Sequence, residues 1–226
     1  MRKILMWMFL CLMPVVSMQA QEDVTKFLGI PVDGTEEEMI QKLKAKGFWM
    51  DEDVGMLRGE FNGVDVYVTI ATNKGKVRRV GLADVSTRDE EGIRRRFNTL
   101  CEQFVDNEKY ISASLSDYVI QEDEDIQYEM SVHDKQYEAA FYQLGSIDTV
   151  AIYNEVVAAL ADKYTEEQLS NPNEDLQVEM FSLILAHIME SQSKRLVWFK
   201  IMESYGEYRI LMMYDNVYNE AHGEDL

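Results

Sequence analysis

The hydrophobic pattern of residues 35–47 has the period of an α-helix. Thr35 and Glu38 can form a capping box, in which each side chain accepts a hydrogen bond from the backbone amide of the other. Met39 and Leu43 then fall on one helical face, and Gly47 suits a left-handed stop at the C-terminal end. The pattern predicts a short amphipathic helix over this segment.

The segment that follows alternates between apolar and polar residues, as a half-buried β-strand does. The strands it predicts are 56–61, 64–70 and 77–85. Asn62-Gly63 and Asn73-Lys74-Gly75 are typical of the tight turns that would join them. A capping box at Thr87–Glu90 predicts a second helix, with an apolar stripe of Ile93, Phe97, Leu100, Cys101 and Phe104. This first lobe is therefore predicted as helix, three-strand meander, helix.

The second half of the chain contains strand and helix patterns in a different order. Residues 110–125 show no sustained period, which indicates a boundary between two lobes. Beyond it we predict a hairpin, two helices that begin near Asp148 and Pro172, and a second hairpin that turns at Tyr205-Gly206. The predicted strands of these hairpins are 128–132, 137–142, 196–202 and 208–214.

The helix after Pro172 is strongly apolar. Its apolar residues, Leu176, Met180, Phe181, Leu183, Ile184, Leu185 and Ile188, cover more than half of its circumference. A helix that is apolar over so much of its surface is typically buried. We therefore expect it to pack on the sheet that the 128–142 and 196–214 strands would form.

Together these elements predict an α+β fold of two lobes, each an antiparallel sheet covered by helices. The predicted organisation is a signal peptide at 1–20, a helix–meander–helix lobe at 21–110 and a hairpin–helices–hairpin lobe at 111–226. The composition supports a packed core, because 46% of the residues are hydrophobic and 11% are aromatic.

Residues 1–20 have the layout of a secretory signal peptide. Arg2 and Lys3 precede an apolar stretch from Ile4 to Val16, and Ala20 provides a small residue at the cleavage point. The stretch is shorter than the ~20 apolar residues that span a bilayer. We therefore expect a mature chain that starts at Gln21, lies in the periplasm or is secreted, and has no membrane span after cleavage.

The chain is strongly acidic, with 41 Asp and Glu residues, 22 Lys and Arg residues and a formal net charge of -19. Loss of Arg2 and Lys3 with the signal peptide brings the net charge to -21. Such a surface repels phosphate backbones and anionic lipids, so we expect no nucleic-acid partner. Two interpretations of the charge stay open: solubility of an exported protein, or attraction to a basic partner or a divalent cation.

Common catalytic motifs are absent: the sequence has no G-x-S-x-G elbow, no P-loop, no G-x-G-x-x-G and no H-E-x-x-H. We therefore assign no catalytic residue and no cofactor, and whether a metal site exists stays unknown. Cys101 and His187 both lie on apolar stripes, which favours buried core side chains over a nucleophile or a ligand. His133 and His222 are distant from His187 in the sequence.

Acidic runs and aromatic residues give weaker signals. Asp51–Asp53 and Glu122–Asp125 lack the alternating ligand spacing of a Ca²⁺ loop, and we interpret both as solvated segments. The aromatic residues on or near predicted strands are Trp49, Trp198, Phe199, Tyr205, Tyr208 and Tyr214. They belong to the core or, if exposed, to a surface for a ligand or a partner.

Several segments resemble one group of proteins. These segments are Phe27–Thr35 (FLGIPVDGT), Leu43–Phe48 (LKAKGF), Leu57–Gly63 (LRGEFNG), Arg96–Cys101 (RFNTLC) and Tyr205–Tyr208 (YGEY). Together they resemble uncharacterised exported proteins of Gram-negative gut bacteria over nearly the whole mature chain. The resemblance implies a periplasmic or secreted setting and brings no activity and no site residues. The layout of the first lobe also resembles small exported helix-plus-meander modules of the beta-lactamase-inhibitor-like group, which implies a binding role.

The leading hypothesis is an exported soluble protein that acts as a non-catalytic binding or interaction module for an unknown protein or a small ligand. One alternative is an exported hydrolase that uses unrecognised carboxylates, and another is a passive envelope protein that self-associates. A deep cleft with convergent polar groups would favour the enzyme, and a flat, exposed aromatic face would favour binding.

Overall fold

The structure is a computed structural model that describes residues 24–220, so the signal peptide predicted for residues 1–20 lies outside the described residues. The described strands are β1 (Lys26–Phe27), β2 (Ile30–Pro31), β3 (Trp49–Asp51), β4 (Met56–Phe61), β5 (Val64–Asn73), β6 (Lys76–Asp84), β7 (Tyr110–Ser112), β8 (Glu138–Gln143), β9 (Leu196–Ser204) and β10 (Glu207–Asp215). The described helices are α1 (Glu36–Ala45), α2 (Glu90–Val105), α3 (Ile126–Val132), α4 (Thr149–Leu160), α5 (Glu166–Ser170) and α6 (Glu174–Ser193), and a short 3-10 helix (Val217–Asn219) follows β10.

Strands β3 to β10 form one eight-stranded antiparallel sheet in the spatial order β3-β4-β5-β6-β10-β9-β8-β7, and β1 pairs with β2 in a separate hairpin. The predicted α+β class is confirmed. The two predicted lobes share this sheet, because β10 returns from the second half of the chain and pairs with β6 of the meander. In that pairing Met213 lies opposite Gly81 and Tyr214 lies opposite Val80.

The core lies on the side of the sheet that α1 and α2 cover. Side chains on a strand point alternately to its two faces. Along β5, Val66 and Val68 are therefore buried, and Tyr67 between them is half-exposed on the other face. The residues that α1 and α2 bury against the sheet are Met39, Leu43, Ile93, Phe97, Leu100, Cys101 and Phe104. We call the opposite, half-exposed side the open face of the sheet.

The helix starts follow the predicted capping pattern in one case and depart from it in the other. Thr35 and Glu38 form both hydrogen bonds of the predicted capping box, which is confirmed. The second helix is instead capped by Asp89, whose Oδ1 accepts a hydrogen bond from the Gly92 amide at 2.8 Å. The Thr87 hydroxyl donates to Glu207 Oε2 on β10, so it is not available as the cap, and the box predicted there is wrong.

The strand predicted over 128–132 is wrong: this segment is helix α3. Asp125 starts the helix by accepting a hydrogen bond from the Tyr128 amide at 2.8 Å. A short apolar segment fits either period, and here the N-cap decides in favour of a helix. Strand β8 consequently pairs with β7 and β9 and not with 128–132.

The burial predicted for the helix after Pro172 is also wrong. This helix, α6, starts after the N-cap Asn173 and packs mainly on α4, with a smaller contact to strand β8 of the sheet. The two helices and α5 form a small apolar cluster of their own, with Val156, Leu160, Leu169, Leu176 and Met180 buried in it. Phe181 and Leu185 point away from this cluster and are 64% and 48% exposed. Within the described part of the chain, no helix combines the length and apolarity needed to cross a membrane.

Candidate functional site

A cleft with a volume of about 780 Å³ opens between the β1–β2 hairpin, the β4–β5 turn and the C-terminal end of α2. Its size lies within the roughly 300–1,000 Å³ that small-molecule sites occupy. The aromatic residues that line it are Phe61, Phe104, Tyr110 and Tyr214. The rings of Phe104 and Tyr110 meet edge to face with their centroids 4.7 Å apart. These contacts give the cleft a rigid aromatic wall.

The side-chain amide of Gln143, which lines the cleft, fixes the β1–β2 hairpin to strand β8 of the sheet. Its Oε1 accepts a hydrogen bond from the Lys26 amide at 2.7 Å, and its Nε2 donates to the Lys26 carbonyl at 3.0 Å. Nε2 also lies 3.0 Å from the Tyr110 hydroxyl, to which it donates. Burial, and then the neighbouring Tyr110, raise the pKa of Tyr214 well above its ordinary value. The Tyr214 hydroxyl therefore stays protonated and keeps its capacity to donate.

Amides and cations dominate the polar part of the lining. Asn62 Nδ2 in the β4–β5 turn donates to Gln103 Oε1 on α2 at 2.7 Å, and both residues line the cleft. The cationic residues in the lining are Lys26, Lys109 and Arg195. Among the described residues that line the cleft, Glu60 is the only carboxylate. The lining is thus positive in a chain whose formal net charge is -19.

Leu28 stands at the mouth of the cleft in an unusual backbone conformation. It is 38% exposed and has a φ of 50°, followed by Gly29 at 79°. A two-residue hairpin turn of this type requires a positive φ at both positions. A left-handed conformation costs an L-residue such as leucine roughly 1–2 kcal/mol. A strained, exposed apolar side chain at the entrance of a cavity is the kind of outlier that indicates function.

The open face of the sheet carries a second group of aromatic residues. Trp49 is 50% exposed on the edge strand β3, and Tyr67 and Trp198 are half-exposed. Trp198 Nε1 donates to Asp215 Oδ2 at 2.8 Å, and the Arg79 guanidinium lies over its ring at 5.5 Å. Of the aromatic residues singled out in the sequence, Phe199, Tyr208 and Tyr214 are buried in the core, and Tyr205 is fully exposed at a turn.

Cys101 is a buried hydrophobic residue, as predicted. Its side chain is 2% exposed on the face of α2 that packs against the sheet. Burial raises the pKa of its thiol to about 12, so the thiolate needed for nucleophilic chemistry does not form at neutral pH.

His187 is not the core residue that the sequence predicts. Its side chain is 35% exposed, and its Nδ1 lies 3.5 Å from Glu155 Oε2 on α4. The reason is that α4 and α5 cover α6 on one side only, which leaves the flanks of its buried stripe partly open. His133 Nδ1 lies 3.0 Å from Glu129 Oε2 at the end of α3, and His222 is outside the described residues.

Some residues of the two acidic runs, 51–53 and 122–125, have structural roles. Asp125 caps α3, while Glu124 accepts hydrogen bonds from Lys135 and from the Tyr137 hydroxyl. Burial opposes the charge of Glu124, but these bonds outweigh it and lower its pKa. In the other run, Asp51 Oδ2 lies 3.6 Å from Arg58 Nη1. Across residues 24–220, no three His, Cys, Asp or Glu side chains are grouped so that they could hold a metal ion.

The molecule thus belongs to the α+β class, with an antiparallel sheet covered by helices on one face and a cleft beside α2. Comparison of the chain with protein-family models, with curated proteins and with solved structures finds no match in any of the three. The resemblance to exported proteins of gut bacteria therefore stays a prediction. The function has to be argued from the residues themselves.

Proposed function

We propose that the protein is an exported, soluble, non-catalytic binding module, and that the cleft beside α2 binds its ligand. The observation that carries this proposal is the make-up of the lining: an aromatic wall, side-chain amides and cations, with Glu60 as the only carboxylate among the described lining residues. Aromatic walls with a few placed polar groups are typical of small-molecule sites.

The lining also favours one class of ligand. The amides of Asn62 and Gln103 both donate and accept hydrogen bonds, so they match hydroxyl or amide groups. Lys109 favours a negatively charged group. The ligand that fits best is a small organic acid with a flat or ring-shaped apolar part, such as an aromatic acid or a sugar acid.

The hydrolase alternative is not favoured by this cleft. Glycoside hydrolysis uses two carboxyl groups that flank the scissile bond. The described lining contains one carboxylate, Glu60, and therefore lacks the second group that this reaction needs. A binding function requires no such pair.

The export part of the proposal predicts a mature N-terminus at Gln21. Mass spectrometry of the protein recovered from its native host measures this directly, because signal cleavage removes residues 1–20. Recovery from the cytoplasm with Met1 intact would contradict export, and it would leave the cleft itself unaffected.

The binding part predicts a specific effect of Leu28→Asn. Asparagine tolerates the left-handed conformation better than leucine, so the free protein should gain roughly 1 kcal/mol in stability. The variant should bind ligand at least several-fold more weakly, because the apolar side chain at the cleft mouth is lost. The measurement is a thermal-shift screen of the mature chain against aromatic acids and sugar acids, followed by calorimetric titration of each compound that stabilises it.

Lys74→Asn is the matched control for this variant. Lys74 also has a positive φ, at 48°, and lies in the β5–β6 turn outside the cleft lining. The Lys74→Asn variant should gain stability in the same way and should bind the ligand with the affinity of the parent protein. Equal affinity of Leu28→Asn and the parent would show that the hairpin turn is not part of the binding site.

A further inference from the structure

The amide side chains that line the cleft use their oxygens for hydrogen bonds within the protein. Asn107 Oδ1 accepts a hydrogen bond from the Lys109 backbone amide at 3.1 Å. Gln103 Oε1 accepts one from Asn62 Nδ2 at 2.7 Å, and Gln143 Oε1 accepts one from the β1–β2 hairpin at 2.7 Å. Because the oxygen and the nitrogen of an amide group are held in one plane, these bonds also orient the N–H donors of the same side chains.

The nitrogens of two of these amides remain as donors for a ligand. Within the described part of the chain, neither Gln103 Nε2 nor Asn107 Nδ2 donates a hydrogen bond, so each keeps two N–H groups. The Lys109 ammonium also makes no hydrogen bond or ion pair with a described residue, and it adds a positive charge. Gln143 differs, because the hairpin and the Tyr110 hydroxyl take both of its N–H groups.

The Tyr110 hydroxyl is a fourth donor. It accepts a hydrogen bond from Gln143 Nε2 at 3.0 Å, and its second hydrogen-bonding neighbour is the hydroxyl of Tyr214. Tyr214 is buried, and buried hydroxyl groups donate to an acceptor, which here is the Tyr110 oxygen. Tyr110 thus accepts two hydrogen bonds, and its own proton is left for a group in the cleft that it lines.

These four donors lie on one side of the cleft. Gln103, Asn107, Lys109 and Tyr110 come from the C-terminal end of α2 and from the segment that leads into β7, and we call them the donor wall. Glu60, the only carboxylate among the described lining residues, belongs to β4 on another side. A negatively charged group in the cleft is therefore attracted to the donor wall and repelled from β4.

We propose that the donor wall binds a carboxylate group of the ligand, while Leu28 and Phe61 contact the apolar part of the ligand. This inference rests on the proposed binding function of the cleft, and it adds the chemical group that is recognised and the orientation of the ligand. A carboxylate has about four lone-pair sites, which match the amide, hydroxyl and ammonium donors of the wall. A neutral carbonyl group accepts fewer hydrogen bonds and gains less from the charge of Lys109.

The acidic residues close to the donor wall have a weaker effect than its donors. Glu102, Asp106 and Glu108 alternate with members of the wall along the chain, but they are exposed and lie outside the cleft lining. Water and salt screen exposed charges. The donors of the wall contact the ligand directly, and a hydrogen bond to a charged group is roughly twice as strong as a neutral one.

The first test compares two acids with their neutral amides. Phenylacetate, glucuronate, phenylacetamide and glucuronamide are titrated separately into the nitrogen-labelled mature chain and followed by NMR spectroscopy. Fragments of this size bind weakly, so the titrations extend into the millimolar range. At least one acid should shift the side-chain amide signals of Gln103 and Asn107, and it should bind about ten-fold more tightly than its amide.

The second test uses two variants that retain the shape of the wall, Gln103→Glu and Asn107→Asp. Each keeps an oxygen for the bond that the protein makes and replaces the nitrogen assigned to the ligand by a negatively charged oxygen. Each should weaken binding of the acid at least about ten-fold and change binding of the amide far less. Gln168→Glu on α5 is the control. Its Oε1 accepts a hydrogen bond from the Thr165 amide at 3.0 Å outside the cleft lining, so this variant should bind like the parent.

The third test removes the hydroxyl donor. Tyr110→Phe keeps the ring that meets Phe104 and should weaken binding of the acid about ten-fold. Tyr118→Phe is its control, because the Tyr118 hydroxyl donates to the Ala140 carbonyl at 3.2 Å outside the cleft lining. This control variant should bind the acid with the affinity of the parent.

Three outcomes would overturn the inference, and the third would also contradict the proposed function. Equal affinities for acid and amide would show that the cleft binds ligands without recognising a carboxylate. A preference for the acid that survives Gln103→Glu, Asn107→Asp and Tyr110→Phe would place the carboxylate elsewhere in the cleft. Both results would leave the binding function intact. If none of the four probes shifted a signal from the cleft lining, the proposed binding of organic acids would fail as well.

Discussion

Replacement of Phe199 by alanine is expected to lower the free energy of unfolding by about 3–5 kcal/mol. Phe199 lies on β9 with its side chain fully buried. Its ring centroid is 5.2 Å from that of Phe97 and 5.6 Å from that of Phe104 on α2, and 6.1 Å from that of Phe141 on β8. Alanine removes these contacts and leaves a cavity that such a rigid aromatic cluster cannot close.

The same variant tests whether the two halves of the chain fold as one unit. Phe199 joins a helix of the first half to strands of the second, and β6 and β10 join the halves within the sheet. Urea unfolding followed by tryptophan fluorescence and by circular dichroism should therefore show one transition, shifted to lower urea with both signals. Two transitions, of which one moves, would show that the halves unfold separately.

Phe181→Ala is the matched control for Phe199→Ala, because it removes the same side chain from a position that is 64% exposed. It should change stability by less than about 0.5 kcal/mol. The contrast between these two phenylalanines isolates the contribution of burial.

Local elements of this fold could be predicted from the sequence because their determinants lie close together in the chain. The turn at Asn62-Gly63 has the positive φ values, 53° and 73°, that its composition indicates. Strands β9 and β10 form the predicted hairpin around Tyr205 and Gly206, with Glu207 opposite Ser204. In both cases alternation and a two-residue turn determine the pairing without help from distant residues.

The pairing of β6 with β10 could not be predicted in the same way. Met213 and Gly81 meet after more than half of the chain has intervened, and no turn fixes their register. Two lobes with separate sheets satisfy the same alternation pattern. The choice between the two arrangements rests on packing between distant segments, which a periodic pattern does not contain.

The sequence does not predict the cleft, for a related reason. Its polar residues come from separate segments of the chain, for example Asn62 from a turn, Gln103 from α2 and Gln143 from β8. None of them forms a motif with its neighbours in the sequence. The positive φ of Leu28 in the β1–β2 turn has no sequence signal either, because leucine is not a residue that turns favour.

Replacement of Asp215 by alanine is expected to cost about 2–3 kcal/mol, because it removes a buried acceptor from two donors. Its carboxylate, 4% exposed, accepts hydrogen bonds at 2.8 Å from Arg79 and at 2.8 Å from Trp198 Nε1. Alanine leaves the indole N–H and the guanidinium without this partner at the centre of the sheet. The Arg79 side chain is 26% exposed, so water reaches it and keeps the loss below that of a fully buried ion pair.

The pair of Arg58 and Asp65 is the control for this prediction, since it is the same kind of pair in a more exposed place. Arg58 lies on the open face, and its guanidinium is 2.6 Å from an Asp65 carboxylate that is 47% exposed. Asp65→Ala should change the urea midpoint little, and the change should vanish between about 0.05 and 0.5 M NaCl, because salt screens exposed charges. The loss caused by Asp215→Ala should persist at both salt concentrations. Equal losses for the two variants would show that burial of the carboxylate is not what makes Asp215 stabilising.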